Sequence, residues 1–162
     1  MSRTLNALIL ILQLLLTFLC LWIIYMVFAL FDYQGGIADF LGITLIQPLI
    51  GAIVSLLTIL VCFAIGLPIR LKKKINEWWI KHYYLALAGM MAGFALIFLS
   101  QVYSTSIKFI SQGTEVYRKM PDLYFLFTGW FLSAFSLLHL YPSFYLIEEF
   151  EKFVEKLKIK RL

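Results

Sequence analysis

Long apolar stretches separated by short polar connections dominate this sequence. A helix needs about 20 residues to cross about 30 Å of hydrocarbon at 1.5 Å per residue. Four stretches meet that length, residues 5–31, 40–67, 83–103 and 123–147. The pattern predicts an all-α membrane protein, a four-transmembrane-helix bundle that forms a single domain over residues 1–162.

The segment 148–162 reads as a helix that continues from the fourth apolar stretch. Its apolar residues recur at intervals of three and four, which places them on one helix face. We predict a C-terminal amphipathic helix that lies on the membrane surface or docks a cytoplasmic partner. The candidate contacts are Phe150, Val154 and Leu157.

The composition supports the membrane class. Hydrophobic residues make up 62% of the 162 residues and charged residues 14%, whereas soluble domains are about half apolar and a quarter charged. The formal net charge of +5 comes from short basic runs beside apolar segments rather than from one basic face. We therefore expect anionic lipid headgroups, and no nucleic acid, as the charged partner.

The basic residues also orient the predicted bundle. Of the 14 basic residues, eleven lie in the N-terminal segment 1–4, in the second connection 68–82 or in the tail 148–162. The other three lie in the third connection 104–122. Basic residues collect on the cytoplasmic side of membrane proteins. We therefore predict that both termini are cytoplasmic, in a multi-pass protein of a cell membrane such as the bacterial inner membrane.

The second connection carries most of the predicted headgroup contacts. It combines a basic run with two tryptophans, and amphipathic rings favour the membrane interface. We predict that these residues contact lipid headgroups or a partner: Arg70, Lys72, Lys73, Lys74, Trp78 and Trp79.

Three polar residues within the predicted spans are candidates for an intramembrane polar site, namely Gln13, Gln47 and His139. His139 precedes Pro142, which frees a backbone carbonyl. It is either a pH-sensitive pore residue or a structural residue bonded to a neighbouring helix, with Gln13 as a candidate partner, and we favour the structural interpretation. Gln47 adjoins Pro48, a pair that indicates either a packing kink or a ligand site; we favour the kink.

Small residues one turn apart indicate close helix packing. Gly89 and Gly93 form a GxxxG sequence in the third span, and Gly129 and Ser133 repeat the spacing in the fourth. Such faces let two helices approach closely. They serve packing within one bundle or self-association, and the sequence does not separate these outcomes.

No residue pattern predicts catalysis, a metal site or a cofactor. Cys20 and Cys62 lie in apolar stretches, where a thiol behaves as a small hydrophobe. We therefore expect a non-enzymatic protein that acts through lateral helix contacts with itself or with another membrane protein. An immunity-type protein and a membrane subunit of a defence or secretion complex are examples.

The alternative function is a small homo-oligomeric pore or channel. Four helices per subunit and a small-residue face would permit a ring of subunits. The polar residues available to line it are Gln13, Gln47, Ser100, Gln101 and His139.

Overall fold

A computed structural model describes residues 3–31, 35–111, 114–142, 146–147, 149 and 151–152. Its helices are α1 (Arg3–Phe31), α2 (Ile37–Leu41), α3 (Gln47–Ile65), α4 (Leu67–Leu71), α5 (Lys73–Lys81), α6 (Tyr83–Val102) and α7 (Leu123–Leu138). Two strands, β1 (Thr105–Ser111) and β2 (Thr114–Met120), separate α6 from α7. A π-helical segment, Gly42–Ile46, joins α2 to α3, and residues 146–147, 149 and 151–152 are helical.

Three helices are long and apolar enough to cross a membrane, which supports the predicted helical membrane protein. They are Thr4–Phe31, Asp39–Ile65 and Tyr83–Val102. The remaining apolar helix, α7, has 16 residues and is therefore about 24 Å long. This is shorter than the hydrocarbon layer of about 30 Å.

Helix α7 ends at Leu138, well before residue 147, where the predicted fourth span ended. Pro142 explains the difference. It has no N–H to donate to the carbonyl of Leu138, four residues earlier, and its ring clashes with that carbonyl. The residue before a proline is also pushed away from helical geometry. The sequence prediction allowed a bend at Pro142 but continued the span to residue 147.

Helix α7 packs against each of the three long helices, and α1 also packs against α3. Seven of its sixteen residues are buried. The core cluster joins α7 to α1 and α3 and consists of Leu21, Ile59, Cys62, Trp130, Ala134 and Leu138. These contacts place α7 against α1, α3 and α6.

The proline in the second apolar stretch lies just after the π-helical segment. Pro48 occupies the first turn of α3, where its missing N–H costs no hydrogen bond inside that helix. The preceding segment, Gly42–Ile46, is π-helical, and its wider turn connects α2 to α3. The predicted break at Gln47–Pro48 therefore takes the form of a π-helical insertion within one long helix.

The connection between α6 and α7 is an antiparallel hairpin. Strand β1 pairs with β2 in a register that runs from Thr105 opposite Met120 to Ser111 opposite Thr114. Asp122 then caps α7, because its Oδ1 accepts a hydrogen bond from the backbone N–H of Phe125 at 3.1 Å. The sequence analysis predicted no secondary structure for this connection.

The C-terminal tail falls mostly outside the described residues. Phe150, Val154 and Leu157, the predicted apolar contacts, all belong to that part. Within the described part, Ile147 is buried and Lys152 pairs with Glu149 at 3.4 Å. The amphipathic tail and its partner stay predictions.

Candidate functional site

The C-terminal end of α7 leaves backbone carbonyls that need hydrogen-bond donors. The last four carbonyls of a helix have no N–H partner within it. The Leu138 carbonyl stays in this group because Pro142, four residues later, has no N–H to donate. Leu138, His139 and Pro142 are all buried. Buried carbonyls without donors are costly, so other elements have to supply the missing N–H groups.

Helices α4 and α5 supply these donors from side chains. Arg70 donates from Nη2 to the carbonyl of Leu138. Trp79 donates from Nε1 to the carbonyl of His139 at 2.6 Å. The two side chains therefore bond to consecutive carbonyls at the end of α7.

Asn76 completes this arrangement. Its Nδ2 donates to the carbonyl of Pro142 at 3.3 Å and to that of Ile69 at 3.0 Å, so it ties α4 to the segment that follows α7. We call Arg70, Asn76 and Trp79 the α7 cap. Sequence analysis missed its function, although Pro142 marks the carbonyl that requires a donor.

Arg70 is not the exposed headgroup contact that the basic run predicted. Its side chain is fully buried, and its guanidinium lies 5.3 Å from the ring centre of Phe63. Burial lowers the pKa of Arg70 to about 10, which leaves it charged at neutral pH. Its Nε and Nη1 have no hydrogen-bond partner among the described residues. The neighbouring Lys72, Lys73 and Lys74 are exposed, so the correction concerns Arg70 alone.

The two predicted interface tryptophans have different roles. Trp78 is half exposed and stacks on His82 with ring centres 4.5 Å apart. Trp79 turns inward to the α7 cap and meets Phe135 edge-on at 6.1 Å. Helix α5 therefore presents one tryptophan outward and one toward the end of α7.

His139 packs inside the bundle beneath the α7 cap. Its ring stacks on Phe135 at 4.4 Å, and its Nδ1 lies 2.9 Å from the Phe135 carbonyl. The ring also fills the space in which a Cβ on Gly66 would lie. This position corrects the suggested pairing with Gln13, because Gln13 Oε1 and His139 Nε2 have no partner among the described residues.

Gln47 lies at a different place, where α1 crosses the proline break. Tyr25 donates from its hydroxyl to Gln47 Oε1 at 2.7 Å, and Trp22 donates from Nε1 to the Pro48 carbonyl at 3.0 Å. Gln13, Gln47 and His139 therefore do not form one intramembrane polar site.

The four small residues proposed for helix packing meet at the interface of α6 and α7. A Cβ on Gly93 would lie 2.7 Å from the Ser133 nitrogen and 2.9 Å from the Gly129 carbonyl oxygen. Gly89 faces Ser136. The contact is internal to the chain, so this face is covered and not offered to a second copy.

A lateral groove lies between α1, α3 and α7 and has a volume of about 300 Å³. Its polar atoms are already paired, since Trp130 donates from Nε1 to Thr58 Oγ1 at 3.0 Å and the Tyr25 hydroxyl donates to Gln47. The groove therefore offers an apolar surface. Its lining residues are Tyr25, Phe28, Val54, Thr58, Leu126, Phe127, Trp130 and Phe131.

A second cavity, the polar chamber, adjoins the groove and has a volume of about 360 Å³. The two cavities share Tyr25 and Phe28 in their walls. The chamber adds two amides and an ammonium group to this wall. Its other lining residues are Ala29, Phe31, Gln47, Gln101, Lys119 and Pro121.

The residues suggested as a pore lining are dispersed. Gln47 and Gln101 line the polar chamber. Ser100 is buried and donates from Oγ to the Ile97 carbonyl at 2.6 Å, and His139 lies beneath the α7 cap. The described residues therefore place only two of the five around one cavity.

Comparisons with protein-family models, with curated proteins and with solved structures found no match to this chain.

Proposed function

We propose that this protein is a non-catalytic membrane protein that acts through lateral contacts within the bilayer, with the lateral groove as its binding surface. The observation that carries the proposal is the pairing of the groove's polar atoms. Thr58 bonds to Trp130 and Tyr25 bonds to Gln47, so the walls present hydrocarbon and aromatic surface. An apolar partner that enters from the side of the bundle suits such walls.

The proposal includes four membrane crossings with both termini in the cytoplasm, in a bacterial inner membrane. The distribution of basic residues supports this orientation. The short α7 suits a fourth crossing because it packs against each of the three long helices and the α7 cap supplies donors at its end.

The partner classes expected from the sequence are the protein itself and another membrane protein. An immunity-type protein or a membrane subunit of a defence or secretion complex would act through such contacts. The small-residue face of α6 is covered by α7, which favours the groove over that face as the contact surface.

Photocrosslinking tests the groove directly. A benzophenone amino acid at Phe127, which lines the groove, is compared with the same group at Phe98 on α6. Both side chains are exposed, at 58% and 69%, so they differ in location more than in accessibility. We expect one defined adduct, enriched at position 127, after irradiation of intact membranes. Equal, unspecific yields at both positions would contradict lateral binding in the groove.

The alternative pore function has one structural feature in its favour, the presence of Gln47 and Gln101 around one chamber. A pore through this chamber would give a conductance that changes when both amides are replaced by leucine. Current recording from reconstituted protein measures this. The absence of any current through the bilayer, under conditions in which the groove binds its partner, would contradict the pore function.

A further inference from the structure

We infer that the lateral groove and the polar chamber together hold one anionic phospholipid, with an acyl chain in the groove and the phosphate in the chamber. The inference rests on the proposed function, since it names the partner that the groove receives. It also assigns Lys119 as the cation that faces the phosphate.

The lining of the groove favours a lipid chain as its occupant. The groove has a volume of about 300 Å³ and is open toward the side of the bundle. An acyl chain carries no polar groups. The groove's paired hydroxyl and indole groups leave nothing for a polar ligand to bond.

The chamber has the groups that a phosphate needs. Lys119 contributes a positive charge, and lysine binds phosphate as a point charge. Gln47 uses Oε1 to accept from Tyr25, which leaves its amide nitrogen as a donor. Gln101 brings a second amide to the same cavity. An ammonium group and two amides around one cavity complement an anionic headgroup.

The chamber also lies at headgroup depth. Its wall includes Phe31, where α1 ends, Gln101, near the end of α6, and Pro121, just before α7. These positions mark the end of the bundle opposite the α7 cap. The groove runs from there along α3 and α7, where Val54, Thr58 and Trp130 line it. A lipid with its phosphate at this end would therefore direct a chain toward the membrane interior.

The experiment uses the full chain in nanodiscs that contain equal amounts of phosphatidylglycerol and phosphatidylcholine with matched acyl chains. After extraction into mild detergent, native mass spectrometry counts the lipids retained by each protein. We expect retention of one phosphatidylglycerol in preference to phosphatidylcholine, with Lys119→Gln lowering that preference about fivefold. Lys108→Gln, on the neighbouring strand and outside the chamber wall, is the matched control and should keep the preference.

A second variant tests the groove. Leu126→Trp replaces an isobutyl group in the groove wall with a bulkier indole and should lower retention of both lipids. The melting temperature of this variant shows whether the bundle remains folded. Phosphatidylglycerol preference that survives Lys119→Gln, or displacement of the lipid by inorganic phosphate, would overturn the inference. Lipid retention unchanged in a folded Leu126→Trp variant would overturn it as well.

The outcomes separate this inference from the proposed function. A defined protein adduct at Phe127, instead of a lipid adduct, would overturn the phospholipid assignment and leave lateral binding in place. Loss of enrichment at Phe127 relative to Phe98 would remove both. A lipid adduct at Phe127 that Lys119→Gln reduces, and Lys108→Gln does not, is the result that we expect.

Discussion

The indole nitrogen of Trp79 donates a hydrogen bond to the carbonyl oxygen of His139 at 2.6 Å. The acceptor is a buried carbonyl at the end of α7 that has no donor within that helix, and Trp79 reaches it from a different part of the chain. The relationship ties the connection between the second and third apolar stretches to the end of the fourth.

Trp79→Phe should lower the free energy of unfolding by about 1–3 kcal/mol, because it keeps an aromatic ring but leaves a buried carbonyl without its donor. Trp78→Phe is the matched control, since Trp78 is half exposed and stacks on His82. We expect that control to stay within about 0.5 kcal/mol of the parent. Denaturant unfolding in mixed micelles measures both, and equal effects at positions 78 and 79 would contradict the α7 cap.

Gly66→Ala should destabilise the bundle by about 1–3 kcal/mol through overpacking, because the new methyl group would collide with the ring of His139. Gly42→Ala is the control, since a Cβ there meets nothing within 4 Å. The cause can be verified with His139→Ala, which removes the ring. In the double variant the Gly66→Ala penalty should shrink, and a strictly additive result would show that the two residues do not interact.

Gly93→Leu should lower the melting temperature strongly or prevent folding, because the side chain would force α6 away from the backbone of Gly129 and Ser133. The neighbouring Ala92 is exposed, so Ala92→Leu adds similar bulk on the outer face and should leave melting nearly unchanged. Thermal unfolding followed by circular dichroism compares the two. A parent-like melting curve for Gly93→Leu would mean that α6 and α7 do not meet at these residues.

Single-cysteine labelling should place Lys73 and Ser106 on opposite sides of the membrane. In a Cys20→Ser, Cys62→Ala background, an impermeant maleimide should label Ser106→Cys in intact cells and Lys73→Cys only after lysis. Lys160→Cys tests the fourth crossing and should behave like Lys73→Cys. Labelling of Lys160→Cys from outside, with Lys73→Cys still protected, would show that α7 and the residues after it do not cross.

The helices themselves follow from local properties of the sequence. Helix hydrogen bonds form within one segment, so length and hydrophobicity suffice to identify Thr4–Phe31, Asp39–Ile65 and Tyr83–Val102 as helices able to span a membrane. The prolines are local signals too. Pro142 has no N–H to donate to the Leu138 carbonyl, and α7 ends at Leu138. The predicted fourth span continued to residue 147 because the residues after the proline are also mostly apolar.

The hairpin between α6 and α7 had a readable signal as well. Polar and apolar residues alternate through Ser106–Phe109, and β-branched residues are frequent in both strands, a pattern typical of strands. The sequence analysis predicted no strand there, because the long apolar stretches of the rest of the chain indicated helices alone.

Only the tertiary structure decides which of several similar residues has a role in the site. Arg70 and Lys72 stand two residues apart in one basic run, yet one is fully buried and the other exposed. Arg70 belongs to α4, whereas Lys72 follows that helix with an extended backbone, so the difference depends on where α4 meets the end of α7. The lateral groove has the same origin, since its walls come from three helices remote in sequence. The sequence alone determined the helices, because their hydrogen bonds are local, while the α7 cap and the groove arise from contacts between distant segments.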